Sequence, residues 1–372
     1  MARIRFSTLS PTCRTERKAN PLSDPGLILK AGPAGRCDSY RVGGAIVDFD
    51  ALSGVWRMWY YCRDKAFDGP PTLGTGYIAH AVSDDGASWT RVDGAQARRA
   101  VLAPSTEPGA FDSVHVGLTD ISRGAGEWLM WYFGGDRRPQ KTQAPDLGDA
   151  VTGLGMRIGL ARSTDGVAWQ RIRGPHESGA LFDYPDEDMY AAWPNVLFDG
   201  RRYIMQYTAP KLDLSYFHTR TAVSRDGLNW EKGDELFWAD GVRPYDAGGI
   251  VTRQTLPNPL PGGRRFLMVY TATDKDHGRS VAAAESDDGV AWYHLYDEPI
   301  FHVGEPGAWD AFGVAANRLV AAGDKLHFYY YGFQSLGADN AARGIGLATC
   351  PVGDLRRLQR YQANTSPSPA RE

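Results

Sequence analysis

The sequence predicts an all-β fold, a five-bladed β-propeller of four-stranded antiparallel blades, and three patterns carry that expectation. The first is a Ser-x-Asp-Gly-x-x-Trp hairpin that occurs four times, at Ser83–Trp89, Ser163–Trp169, Ser224–Trp230 and Ser286–Trp292. A motif recurring every 60 to 80 residues marks one supersecondary unit repeated and stacked. The second is a pair of strand-like runs before each hairpin, an aromatic one and then a β-branched or small-residue one. The third is a fifth unit that keeps both runs, Lys325–Tyr331 and Arg343–Ala348, but has Cys350-Pro-Val-Gly-Asp354 in place of the hairpin. An atypical terminal unit is expected of a repeat array.

Within a unit, each element has a local cause. Asp-Gly is the strongest short hairpin signal because glycine supplies positive φ without steric cost, and the Trp behind it covers the turn. The aromatic runs Val55–Tyr61, Glu127–Phe133, Arg202–Tyr207 and Arg265–Tyr270 are bounded by Gly, Pro or Asp, as strands are. The runs Gly76–Val82, Arg157–Arg162, Thr219–Val223 and Ser280–Ala284 follow them as third strands. The propeller therefore spans residues 30–362. Residues 1–29 form an N-terminal extension, of which Leu27 to Leu29 is positioned to serve as an outer strand of the last blade. Residues 363–372, with their Ser-Pro-Ser-Pro, read as a disordered tail.

Composition agrees with this architecture and narrows the function. Among 372 residues, 43 Gly, 23 Pro, 11 Trp and 18 Tyr suit a turn-rich all-β chain. A net charge of −3 with both signs interspersed gives no case for nucleic acid or an anionic membrane. No apolar run is long enough to span a bilayer, and Met1 to Asn20 has five basic residues without a signal-type apolar core. The four cysteines, Cys13, Cys37, Cys62 and Cys350, are scattered without metal-ligand spacing, which fits reduced thiols in a cytoplasmic protein. The expected partner is a small-molecule or carbohydrate ligand, and oligomeric state is not legible.

Each unit also opens on an aspartate: Asp38, Asp112, Asp188, Asp246 and Asp310. The first strand of a blade lies beside the central channel, so strand direction places the five carboxylates at one channel mouth, opposite the Asp-Gly hairpins. The long loops between second and third strands, such as Arg63 to Gly76 and Asp136 to Met156, fall at the same mouth. Arg41, Arg63, Asp64, His115, Asp136, Tyr190 and Trp193 join the aspartates there as candidate ligand contacts. An Asp at a strand start can equally serve its own loop as a hydrogen-bond acceptor. Gathered carboxylates could also hold a hard cation such as structural Ca²⁺, although no cofactor is required.

Five blades, these hairpins and channel-mouth acids resemble the arabinanase, levansucrase and invertase superfamily, which includes glycoside hydrolase families 43, 32 and 68. The resemblance covers residues 30 to 362. It implies that Asp38 is the base or nucleophile, that Asp112 orients the substrate, and that a third-blade acid protonates the leaving group. Asp188 holds that third place, with Glu187 immediately before it, where the family has a glutamate. Cys37-Asp38-Ser39 likewise differs from the Asn-Asp-Pro of the invertase branch. Three functions stay open: a glycoside hydrolase working through paired carboxylates, a non-hydrolytic enzyme of small-molecule biosynthesis (a cyclisation or alkylation) reusing the funnel, and a carbohydrate-binding propeller without catalysis.

Overall fold

The computed structural model describes residues 24–66, 73–124, 126–334 and 343–362. Cys13, the basic N-terminal stretch and the tail lie outside them. Five blade sheets follow one another along the chain, and a two-stranded ribbon, Pro139–Lys141 with Ala150–Thr152, lies in a loop of the second. Blade 1 is Arg41–Asp50, Val55–Arg63, Tyr77–Ser83 and Thr90–Val92, and blade 2 is His115–Arg123, Trp128–Gly135, Met156–Ser163 and Gln170–Ile172. Blade 3 is Ala192–Phe198, Tyr203–Pro210, Phe217–Ser224 and Glu231–Glu235. Blade 4 is Ile250–Pro257, Phe266–Thr273, Arg279–Ser286 and Ala291–His294, edged by Phe237–Trp238. Blade 5 is Gly313–Ala322, Lys325–Phe333 and Arg343–Pro351, and the N-terminal Leu27–Lys30 pairs antiparallel with its third strand. The first strand of each blade touches that of the next, and the fifth touches the first, so the chain is a closed five-bladed propeller.

The Asp-Gly hairpins are built as the motif predicts. Gly86, Gly166, Gly227 and Gly289 have φ between 74° and 79°, and the aspartate two residues after the serine accepts from the backbone beyond the turn. They also join neighbouring blades. Trp59 of blade 1 donates to Gly166 O of blade 2 at 2.7 Å, Gln206 of blade 3 to Gly289 O of blade 4 at 3.4 Å, and Tyr329 of blade 5 to Gly86 O of blade 1 at 2.9 Å. Trp131 of blade 2 packs 3.2 Å from where a Cβ would stand on Gly227 of blade 3. The matching residue of blade 4 is Val269, which has no donor, and blade 5 is the blade without an Asp-Gly hairpin.

Directly after each of these residues comes a tyrosine (Tyr60, Tyr132, Tyr207, Tyr270, Tyr330), and four of the five tyrosines bind the aspartate that opens their blade. Tyr60 donates to Asp38 at 2.8 Å, Tyr132 to Asp112 at 3.0 Å, Tyr270 to Asp246 at 3.0 Å and Tyr330 to Asp310 at 2.9 Å. A basic side chain from the blade's outer part completes each clip: Arg91 on Asp38 at 2.5 Å, Arg171 on Asp112 at 2.7 Å, His294 on Asp246 at 2.8 Å and Arg360 on Asp310 at 2.9 Å. In blade 3 Arg220 grips both oxygens of Asp188, at 2.7 and 2.9 Å.

Further along the inner strands a polar ring crosses the channel. Arg318 of blade 5 donates to Val47 O of blade 1 and to Asp120 of blade 2, at 3.2 and 3.0 Å. Asn195 of blade 3 donates to Asp120 at 2.9 Å and accepts from the Thr255 amide of blade 4 at 2.7 Å. Blade 4 returns to blade 5 through Gln254, which accepts from the Leu319 amide at 2.5 Å. All five blades are tied by these contacts.

Removing one partner of a buried ion pair strands the other charge, at a cost of roughly 3–5 kcal/mol. Arg171→Met should therefore lower the unfolding free energy by about 3 kcal/mol in urea titrations, and Tyr132→Phe by about 1–2 kcal/mol. An unchanged midpoint for Arg171→Met would show that the clip does not hold blade 2.

Candidate functional site: a cationic funnel

The five aspartates do not line the channel. Each is at most 1% exposed, and its carboxylate is turned into its own blade by the clip just described. Asp38, Asp112, Asp188, Asp246 and Asp310 are each held by the local contacts just described and none borders the cavity, which corrects the expectation that they converge there. Glu187 is no substitute, because its side chain is 70% exposed beside Arg220 and outside the cavity lining. Asp64 is paired with Arg98 at 2.5 Å, and Asp136 with Arg138 at 2.5 Å; both also accept from backbone amides two residues on, so both shape loops. Among the described residues, no three His, Cys, Asp or Glu side chains gather as a metal ion would need.

The predicted mouth nevertheless opens on a cavity of about 360 Å³, lined by the starts of first strands, the ends of second strands and the starts of third strands. Of the sequence candidates, Arg41, Arg63, His115, Tyr190 and Trp193 line it. The structure adds Arg279, Arg343, Tyr331, Tyr61, Phe133, Asn317 and Thr252, among others. No carboxylate is among the described lining residues.

Local backbone features place these side chains. Every first strand carries a β-bulge where it borders the cavity, at Gly43/Ile46, Leu118/Asp120, Ala192/Asn195, Ile250/Arg253 and Ala316/Arg318. A bulge re-aims the side chains that follow it. In blade 3 it leaves Trp193 at φ 50°, a conformation costly for a non-glycine residue. Arg253 of blade 4 donates to the Trp193 carbonyl at 3.4 Å, and the Trp193 ring packs on Phe133 and Tyr190, with centroids 5.0 and 5.4 Å away. In blade 1 the bulge contains Gly44 at φ 56°, and a Cβ on Gly43 would meet the Tyr331 ring at 2.8 Å. Glycine here lets the Tyr331 ring lie against the backbone.

The electrostatics are those of crowded cations. Burial, with Arg343 and Arg63 adding, lowers the Arg41 guanidinium to about 10. Burial, with Arg343 adding, also pulls Arg279 below its ordinary range, and no carboxylate lies within ion-pair distance of it among the described residues. Both stay charged at neutral pH. Arg63 holds the rim loop by donating to the carbonyls of Leu73, Gly74 and Thr75, at 2.7 Å for Gly74. Arg343 donates to the Tyr331 hydroxyl, which keeps its own proton available for a ligand. His115 Nε2 donates to Gly153 O at 2.7 Å, so its Nδ1 is the unprotonated nitrogen; burial, then Arg63, push the ring down to about 3. The cavity thus offers guanidinium and phenol donors, a neutral imidazole and aromatic faces. It can neutralise and orient an anion.

No family model matches the chain, and no curated protein matches it. Solved structures do. An N-acetylgalactosamine deacetylase from F. plautii, in complex with blood group B trisaccharide, superposes with a TM-score of 0.61 at 16% identity, over 91% of this chain and 97% of that one. This chain shares its five-bladed propeller fold. A β-1,2-mannobiose phosphorylase from Listeria innocua gives 0.60 at 15% identity over 90% and 96% of the two chains. The Bombyx mori GH32 β-fructofuranosidase BmSUC1 gives 0.57 at 13% identity over 93% and 66%. The likeness to glycoside hydrolase propellers expected from the sequence holds for the fold. No helix among the described residues is long and apolar enough to cross a membrane.

Because the folded state keeps His115 neutral, the unfolded chain binds more protons below the ordinary histidine value of 6.5. Its stabilising contribution is complete above pH 6.5 and is lost as pH falls toward 3, with a slope approaching about 1.4 kcal/mol per pH unit. His115→Gln keeps an amide donor for Gly153 O and cannot titrate. Urea midpoints between pH 6.5 and 4 should fall less steeply in that variant, and identical slopes would refute the assignment.

Proposed function

We propose that this propeller is an enzyme of small-molecule metabolism whose funnel takes an anionic substrate, and that it does not work through paired carboxylates. The observation that carries this reading is a cavity lined by Arg41, Arg63, Arg279 and Arg343 with no carboxylate among its described lining residues. Hydrolysis by paired carboxylates needs two acids about 5–10 Å apart across the scissile bond. Asp38, Asp112 and Asp188 are each already bound by a cation, and none borders the cavity. The fold does not choose between activities: the similar structures are named for deacetylation, phosphorolysis and fructoside hydrolysis.

The geometry supports chemistry in which negative charge is bound or develops. Fixed guanidiniums in a partly dry site stabilise such charge more than water does, because they need no reorganisation. Tyr331 supplies a proton donor within that field. His115, held neutral, supplies an acceptor and makes a poor base at neutral pH.

Titration calorimetry with inorganic phosphate, sugar phosphates, hexuronates and neutral oligosaccharides tests the reading. Anions should bind and raise Tm, more weakly as salt is added, and Arg279→Met should weaken them at least tenfold, about 1.4 kcal/mol. Hydrolysis of a neutral glycoside that is lost in a fully stable Asp38→Asn variant would overturn it.

A further inference from the structure

The charge in the funnel is confined to one side, and the other side is apolar. Arg41 and Arg63 come from blade 1, Arg343 from blade 5 and Arg279 from blade 4, so all four guanidiniums belong to three consecutive blades. They form a continuous series, since Arg63 repels Arg41, Arg41 repels Arg343 and Arg343 repels Arg279. Phe333 lies beneath two of them, 4.9 Å from Arg343 and 6.0 Å from Arg279, which fixes their planes. Blades 2 and 3 contribute Phe133, Leu154, Met156, Trp193, Leu214 and Phe217 instead. Their polar lining groups are the neutral His115, Thr119 and the Tyr190 phenol, and none bears a formal charge. This wall is rigid. Phe133, Leu154 and Met156 belong to one packed cluster with Val151, Met189 and Ala192, against which Trp193 and Leu214 also lie.

From this division we infer that the ligand is amphipathic: a phosphate, sulfate or carboxylate head on the arginine side, joined directly to an apolar aryl or branched-alkyl body that fills the side formed by blades 2 and 3. This inference rests on the anionic-ligand reading and narrows it. A plain sugar phosphate would set ring hydroxyls against Leu154, Met156 and Leu214, and a buried hydroxyl without a partner is unfavourable. An apolar body loses nothing there and gains from leaving water. The volume of about 360 Å³ is at the small end for ligand pockets, which favours one ring or a short branched chain over an oligosaccharide.

Three probes separate the two readings: inorganic phosphate, phenyl phosphate and the neutral phenyl β-glucoside, titrated into the wild-type chain, Arg279→Met and Leu214→Asn. Leu214 is a half-buried loop residue, so its replacement spares the blades. Phenyl phosphate should bind at least about tenfold tighter than inorganic phosphate. Leu214→Asn should erase most of that gain and leave inorganic phosphate unchanged, whereas Arg279→Met should weaken both anions. A thermal melt of each variant checks folding, and Leu214→Ser serves in place of Leu214→Asn if the latter melts early. Equal affinity for the two phosphates, or no binding of phenyl phosphate at millimolar concentration while inorganic phosphate binds, overturns the amphipathic ligand and leaves the anionic funnel standing. Phenyl glucoside binding as tightly as phenyl phosphate, without salt dependence, overturns both.

Discussion

A carboxylate shut away from water at the head of every blade is the constraint on which the other features depend. An ionised group at most 1% exposed must be paired and hydrogen-bonded, or it would cost several kcal/mol. Each blade meets that requirement with an arginine or, in blade 4, a histidine and, in four of them, a tyrosine from its second strand. Fixing the tyrosine fixes its neighbours too, because strand side chains alternate. With Tyr60 turned inward to Asp38, Trp59 reaches the hairpin of the next blade and Tyr61 reaches the funnel. One buried contact therefore sets blade geometry, blade-to-blade closure and part of the cavity wall.

The same constraint removes the acids from chemistry. A carboxylate gripped at 2.5–2.9 Å by a guanidinium cannot also abstract or deliver a proton without breaking that pair. The groups that face the channel are then the residues just beyond the aspartates. Arg41 and His115 each stand three residues after their blade's aspartate, where the strand has turned back to the channel.

Most of the architecture was legible in the sequence because hairpins and aromatic strands repeat. The clip was legible too. Trp89, Trp169 and Trp292 are each followed two residues later by Arg91, Arg171 and His294, the side chains that hold Asp38, Asp112 and Asp246. After Trp230 the same offset gives Lys232, whose ammonium instead lies 5.9 Å from the Phe182 ring, and Arg220 takes its place on Asp188. A repeat of Asp, Tyr and Arg at matched offsets is a packing signature, which argues against reading the aspartates as catalytic. Arg279, Arg343 and Tyr331 were harder to see. They sit at the ends of second and third strands, in regular register and without a repeated motif around them, so only the assembled blades show that they line one cavity.

The contrast between clips and funnel also bears on how the site is held ready. The five blade-opening aspartates are spent on structure, so Arg279 stays half-buried beside Arg343 with no carboxylate in the cavity lining. A desolvated guanidinium beside other cations is unfavourable in the empty protein, and the clips and the Asp120 ring supply the rigidity that keeps it there. Under the proposed function, an anion entering the funnel would meet charge that is already positioned, so little further ordering would oppose its binding. Preorganisation of this kind explains why the scaffold is tied so firmly around a cavity that contains so little acid.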